Sequence, residues 1–271
     1  MTMRLHPITG VPILFVPERA ARPGAFGEEA TARCPFCPGH ESDTPPTIAA
    51  IGEPWRVRVF ANKYPSTERA EVIAESPQHG ATFDAIEHAE DVVAMYVERY
   101  RAHQDVAYTA IFKNEGARAG ASIPHVHSQV MPVAFTPPRI ANEGSAFGDE
   151  CPLCSMHEHV IRETEFFRWL CPAGSWLPYQ QWIVPKRHIR ELSQLQEREY
   201  AELASLLRAA SAAMLRIGES YNWEFLSFPD HERAHFYVDL HPRITPFAGF
   251  ELGTGTFVEI IDPADAARRL M

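Results

Sequence analysis

Apolar positions recur along the chain with two distinct periods. Trp55, Val57 and Val59 alternate with Arg56 and Arg58, the period-two pattern of a half-buried strand over 55–60. A second short strand is predicted over 71–74. Ala89, Val92, Val93, Tyr96 and Tyr100 then fall three or four residues apart, which predicts an amphipathic helix over 86–103. Strands over 108–112 and 125–133 follow, joined by a turn running from Asn114 to Gly120. The second half repeats this order. Strands are predicted over 167–170 and 181–184, and a helix over 194–218 with Leu203, Leu206, Leu207, Ala210, Met214 and Ile217 on one face. Ser193 and Gln196 have the spacing of a capping box at its start. Strands over 225–228, 236–240 and 256–261 complete the reading. The Pro-rich, Gly-bearing stretch 134–150 reads as a linker. Short connections between strands imply mainly antiparallel pairing, and the predicted class is α+β.

The repetition is also written in single residues. Cys34-Pro-Phe-Cys37 recurs 117 residues on as Cys151-Pro-Leu-Cys154. Glu75-Ser-Pro-Gln-His79 recurs 109 residues on as Val184-Pro-Lys-Arg-His188, and His125-Val-His127 recurs 110 residues on as His235-Phe-Tyr237. Three landmarks in one order at nearly constant separation predict a tandem duplication with one long helix per unit. The units are expected over 1–135 and 151–271, with 136–150 between them.

Composition narrows the function classes. The 271 residues are 45% apolar, enough for two domain-sized cores, and no stretch approaches the roughly 20 continuous apolar residues of a membrane span. The N-terminal MTMRLHPITG lacks a secretory pattern, so a cytoplasmic protein is expected. With a net charge of −10 and no basic run, the chain has no positive face for wrapping nucleic acid. A compact anionic ligand needs only a few local donors and stays open.

Four of the five cysteines form the two CxxC pairs, which in a reducing compartment read as metal ligands or a redox pair. Cys171 reads as a buried small apolar residue. Redox CxxC motifs normally open a helix in a βαβ unit, an arrangement not found here. Cys34, Cys37, His79 and His125 form one candidate ligand set, and Cys151, Cys154, His188 and His235 form the other. Thiolate plus imidazole suits tetrahedral zinc, and a closed four-ligand site has no position for substrate water. Two structural zinc ions are therefore expected, with iron or another divalent ion a competitor at one site. His40, His88, His103, His157, His159 and His231 lack counterparts in the repeat and read as surface residues.

The most informative stretch runs from Asn114 to Gln129. On a strand, His125 and His127 would share one face, so with His125 on the metal, His127 stays free beside a fixed anchor. Gly116 and Gly120 permit a tight turn whose N–H groups could form an anion nest, while Ser122 and Gln129 add neutral donors. A neutral imidazole with one nitrogen bonded to a carbonyl can attack phosphorus with the other. The competing reading is a hairpin and a strand carrying metal ligands, without catalysis. The second unit favours chemistry in the first, because it keeps His235 but has Tyr237 where the nucleophile would stand.

These residues resemble the galactose-1-phosphate uridylyltransferase branch of the histidine-triad superfamily, which carries a CPxC pair, an asparagine-bearing loop and a Gly-x-Ser-x-Pro-His-x-His-x-Gln core. Here these are Cys34-Pro-Phe-Cys37, Phe60-Ala-Asn62 and Gly120-Ala-Ser-Ile-Pro-His-Val-His-Ser-Gln129. The likeness extends from Arg4 to Gly253. It implies two packed histidine-triad units, a homodimer in many members, and a nucleotidylated His127. It also implies that Asn62, Asn114, Gly120, Ser122 and Gln129 hold ribose and phosphates, that Arg19 and Arg22 lie near the phosphates, and that Glu251 contacts a hexose. Val126 and Ser128 replace the family's usual Pro and Gly, and Phe257 stands where a hexose-contacting glutamine is expected. The His-Ser-Gln run and the Gly-Phe-Glu-Leu-Gly-Thr-Gly255 segment look closer to the plant ADP-glucose phosphorylases.

The resemblance implies ping-pong transfer of a nucleoside monophosphate from a nucleotide sugar to a sugar 1-phosphate. The alternative is an ADP-sugar phosphorylase using inorganic phosphate as acceptor. A zinc-stapled nucleotide-binding module without turnover is a further reading, as is nucleotide hydrolysis of the kind catalysed by smaller histidine-triad proteins. Hydrolysis would want an additional base, and none is evident near the core.

Overall fold

The computed structural model describes residues 2–21 and 33–271. Arg22 lies outside the described residues. A hairpin of β1 (Thr2–Leu5) and β2 (Pro12–Phe15) stands apart as a two-stranded sheet. The first unit then contributes β3 (Thr47–Ile51), β4 (Val57–Ala61), β5 (Glu71–Ala74), α1 (Ala89–Ala102), β6 (Tyr108–Glu115) and β7 (His127–Val133). Two short helices follow, α2 (Pro138–Ala146) and α3 (Pro152–Ser155). The second unit adds β8 (Val160–Glu163), β9 (Phe167–Leu170), β10 (Gln181–Pro185), α4 (Glu197–Ile217), β11 (Tyr221–Leu226) and β12 (Tyr237–Pro242). Helices α5 (Gly249–Thr254) and α6 (Pro263–Leu270) close the chain.

All strands from β3 to β12 join one sheet of ten in the order β3-β4-β5-β7-β6-β11-β12-β10-β9-β8, and every pairing is antiparallel. The order reads alike from either end: each strand of one half has its counterpart at the same distance from the β6–β11 junction. The fold is the duplicated, mainly antiparallel α+β arrangement with one long helix per unit. Val57, Val59, Ile73, Ile111 and Val130 from one half and Ile183, Trp223, Phe225, Val238 and Leu240 from the other form a single buried core with α1 and α4. Residues of opposite parity point to the far face, as a pleated strand requires. There Phe60, Val72 and Ala74 pack under Phe36 in the first half. Tyr108, Val184, Leu226 and Tyr237 pack with Ile140 and Leu153 in the second.

Several elements depart from the sequence reading. Residues 256–261 form no strand, and Gly249–Thr254 is helical instead. The stretch expected as a plain linker carries α2, whose Pro138 at the first helical turn costs no backbone hydrogen bond. Helix α4 is capped by Glu199, whose side chain accepts from the Gln196 amide at 2.7 Å, so the box expected from Ser193 sits three residues too early. His125 precedes β7 rather than lying in it. His103 is buried and hydrogen-bonds Glu71, contrary to its reading as a surface residue.

Candidate active site

His127 opens β7 and lines a cavity of about 370 Å³ whose walls also include Phe36, Phe60, Asn62, Tyr64, Ser122 and Gln129. Its Nδ1–H donates to the His125 carbonyl at 2.7 Å, which fixes the ring and leaves the Nε2 lone pair unspent. Burial pushes the imidazole pKa down to about 4, and the nearby Lys113 charge acts in the same direction against that hydrogen bond. The ring is therefore neutral near pH 7, the form a nucleophile needs. Phe36, from the first CxxC turn, meets it edge-on at 5.4 Å between centroids.

Beneath the sheet, a buried polar network holds the strand that carries His127. Lys113 Nζ lies 2.6 Å from Glu75 Oε2 and donates to the His127 carbonyl at 3.2 Å. Tyr96 and Ser128 both donate to Glu75 Oε1, and Glu75 and Lys113 are completely buried. Sequence reasoning missed this group, although parity marked it: Lys113 is two residues from Ile111 and shares its core-facing side of β6.

The two Cys/His sets each converge to a cluster whose ligand atoms lie within 4.8 Å of one another. Cys37 Sγ is 3.4 Å from His79 Nδ1 and 3.7 Å from His125 Nδ1, and Cys34 Sγ is 3.6 Å from His125 Nδ1. In the second set, Cys151–His235, Cys154–His188 and Cys154–His235 are each 3.4 Å apart. Sulfur and nitrogen around a tetrahedral zinc would be separated by about 3.6 Å, so both sets fit such an ion. The outer nitrogens agree: His125 Nε2 donates to the Ser76 carbonyl at 2.8 Å and His235 Nε2 to Pro185 at 2.9 Å, aiming each Nδ1 at the cluster. Bound there, the metal would tie the Cys34–Cys37 turn to the segment that leads into His127.

The remaining expected site residues are spread more widely. Asn62, Ser122 and Gln129 line the cavity with His127. The Asn62 Oδ1 accepts from the Tyr64 amide at 2.9 Å, which orients its amide group. Asn114 Oδ1 accepts from Asn222 Nδ2 at 2.7 Å, across the junction between the units. Gly120 adopts a left-handed conformation with φ of 87°. The N–H groups of Ala119, Gly120 and Ala121 donate to the carbonyls of Gly116 and Ala117, so the expected anion nest is spent within its own turn at these three groups. Arg19 reaches the same rim from outside, donating to the Tyr64 carbonyl at 3.2 Å and to Ser66. Glu251 lies in α5, away from the cavity, and accepts from the Ala248 amide. Arg33, beside the first cysteine, and Lys63 line the cavity and were not anticipated.

The matching position of the second unit is closed. Tyr237 opens β12 as His127 opens β7, but its hydroxyl donates to Glu143 at 2.7 Å. Arg139, also on α2, donates to Asp239 at 2.7 Å, and Ile140 of the same helix is buried. Helix α2 thus fills the place that the cavity occupies in the first unit.

Among curated proteins, the chain is 27% identical to an ADP-glucose phosphorylase of Arabidopsis thaliana over 98% of its own length and 91% of the relative. It is 26% identical to a galactose-1-phosphate uridylyltransferase of Thermotoga maritima over 100% of its length and 98% of that protein. The crystal structure of an ADP-glucose phosphorylase from Arabidopsis thaliana with bound ADP-glucose superposes with a TM-score of 0.82 at 27% identity, covering 99% of this chain and 98% of that one. The histidine-triad resemblance in the core motif therefore extends to the whole chain. A family model described as a domain of unknown function matches residues 74–271, and on that match the chain belongs to the DUF4921 family.

Proposed function

We propose that the chain is a nucleotidyltransferase in which His127 carries a nucleoside monophosphate between a nucleotide sugar and a second phosphate-bearing acceptor. The observation that carries this reading is the His127 ring itself: neutral, with one nitrogen bound to a carbonyl and the other unspent, at a cavity lined by the amide and hydroxyl donors of Asn62, Gln129 and Ser122. In the first step, Nε2 forms a bond to the α-phosphorus while the bond from phosphorus to the bridging oxygen breaks, releasing sugar 1-phosphate. In the second, an acceptor phosphate oxygen displaces Nε2. Neither step needs a strong proton donor, because sugar 1-phosphate leaves readily in the first and the ring, keeping its Nδ1–H, leaves as neutral imidazole in the second. The neutral donors stabilise the equatorial oxygens. Both clusters would hold structural zinc, because four protein ligands leave no open position. The division into a catalytic unit at 1–135 and a second unit at 151–271 that has lost the nucleophile belongs to the same reading.

The acceptor separates two forms of the proposal. Sugar 1-phosphate is the acceptor of a uridylyltransferase, and likeness to the Thermotoga maritima relative supports it. Inorganic phosphate is the acceptor of an ADP-sugar phosphorylase, and likeness over nearly the whole chain to the Arabidopsis thaliana protein supports that equally. Incubation with UDP-glucose and with ADP-glucose, followed by intact mass measurement, decides the base through gain of UMP or AMP. A His127→Ala variant should gain neither. Equal labelling of that variant, or no labelling of the wild type, rejects the covalent mechanism.

A further inference from the structure

The proposed transfer leaves the buried ion pair under His127 without a chemical task. Lys113 Nζ lies 2.6 Å from Glu75 Oε2, 3.3 Å from Glu115 Oε2 and 3.2 Å from the His127 carbonyl oxygen. Taking two charges out of water is costly, and apolar residues of similar volume serve a core at least as well. The second unit has that apolar alternative. Phe225 pairs with Val238 there as Lys113 pairs with Ser128. The stretch Val184-Pro-Lys-Arg-His188, which matches Glu75-Ser-Pro-Gln-His79, holds no acid. The unit with Tyr237 in place of the nucleophile therefore lacks the ion pair too, and its half of the sheet forms without it.

The covalent step gives these charges something to act on. His127 keeps its Nδ1–H on the His125 carbonyl, so a bond from Nε2 to phosphorus leaves the ring positively charged. The ring becomes neutral again when the acceptor displaces it. The transferred phosphoryl group carries one negative charge both in the nucleotide sugar and on the ring, so the ring's own charge is what changes. Lys113 and the ring lie on opposite faces of the sheet. Lys113 packs toward Phe83 and Trp223 in the core, whereas His127 and Gln129 line the cavity. Lys113 and Glu75 are 0% exposed and His127 7%, so water screens little of the field between them. Of the two charges, Lys113 is the one bonded to His127 directly.

We propose that the Lys113–Glu75 pair sets how firmly the nucleotide is held on His127: the ammonium opposes the charge of the nucleotidylated ring and makes it a better leaving group, while the carboxylate limits that effect. The inference rests on the transfer reading and deepens it. Without an opposing cation, the ring would be a stronger nucleophile but a poorer leaving group, and the second step would stall. Lys113 is thus a positioning residue that acts through His127, since its side chain faces the core and not the cavity.

The test equilibrates the full, metal-loaded chain with whichever of UDP-glucose and ADP-glucose labels the wild type. The ratio of glucose 1-phosphate to nucleotide sugar is raised stepwise, and intact mass gives the nucleotidylated fraction. Lys113→Met should raise the ratio that removes half the label by roughly tenfold, the scale of one charge several ångströms away in a buried setting. Glu75→Gln should lower it. Loss of folded enzyme reduces the labelled maximum and leaves this midpoint in place, so a purely structural role predicts no shift. Should Lys113→Met fail to fold, the double variant Lys113→Met/Glu75→Gln removes both charges, and its midpoint should still rise because the charge bonded to His127 is gone. Unmoved midpoints, or shifts of one sign in the two single variants, overturn the proposal while a labelled wild type keeps the transfer reading. A wild type that gains neither UMP nor AMP overturns both.

Discussion

Lys113 shows how one residue can matter to both stability and chemistry. Its ammonium is fully buried between the Phe83 and Trp223 rings, 5.6 Å from each centroid, and its partner Glu75 is equally buried. Breaking a buried pair leaves an uncompensated charge, which typically costs about 3–5 kcal/mol. Lys113→Met should therefore lower stability by that order in denaturant titrations, and the double variant with Glu75→Gln should recover part of the loss. An additive double variant would show that the two charges are not coupled. Glu71 supplies a pH prediction. Burial raises its pKa, but hydrogen bonds and charge from His103 and Arg99 outweigh this and hold the carboxyl below its usual value. A depressed folded-state pKa means that the stabilisation is complete above the unfolded value, about 4.3, and is lost as pH falls below it. The stability of Glu71→Gln should fall less steeply than wild type through that acid range; parallel curves would remove Glu71 from the account.

Among the elements, the first CxxC turn would link metal binding to the proposed nucleophile. Cys34 and Cys37 flank Phe36, which packs on Phe60 at 5.1 Å and on His127. Cys37→Ser should reduce bound metal from two ions to one and slow nucleotidylation by roughly tenfold or more, the scale seen when supporting contacts around a functional group are lost. Cys154→Ser should lose one ion as well but leave the first step largely unchanged, because that turn has no nucleophile beside it. Equal slowing in both would mean that the clusters act only through global stability. At this scale the sequence was readable where periodicity was strong, as in β5, β9 and α1. It misled where apolar residues lacked a sheet edge to join: Phe257 and Val258 look strand-like, yet Phe257 stacks on Trp176 at 5.3 Å in an irregular segment. The cluster of Glu224, Asp239 and His241 was hidden for a related reason: Glu224 lies on β11 while Asp239 and His241 lie on β12, and only register makes them neighbours.

For the whole molecule, the ligand repeat disclosed the duplication but not how the copies join. The joint is main-chain pairing between β6 and β11, with Asn222 opposite Asn114 and Trp223 opposite Lys113. Side chains reinforce it, because Asn222 Nδ2 also donates to the Ala119 carbonyl at 3.0 Å, tying the second unit to the turn before Ser122. One buried cluster runs through both halves, from Val57 to Leu240, with α1 and α4 side by side across it. Separating the units would expose β6 and β11 as open edges along with a large apolar face, a state with little to stabilise it. Two domain-sized units should therefore unfold as one. With metal retained, tryptophan fluorescence, which reports on Trp55 in the first unit and on Trp169, Trp176, Trp182 and Trp223 in the second, should give the same denaturation midpoint as far-ultraviolet circular dichroism. Two resolved transitions would mean that the junction is weaker than its buried contacts imply, and the cavity would then depend on one unit alone.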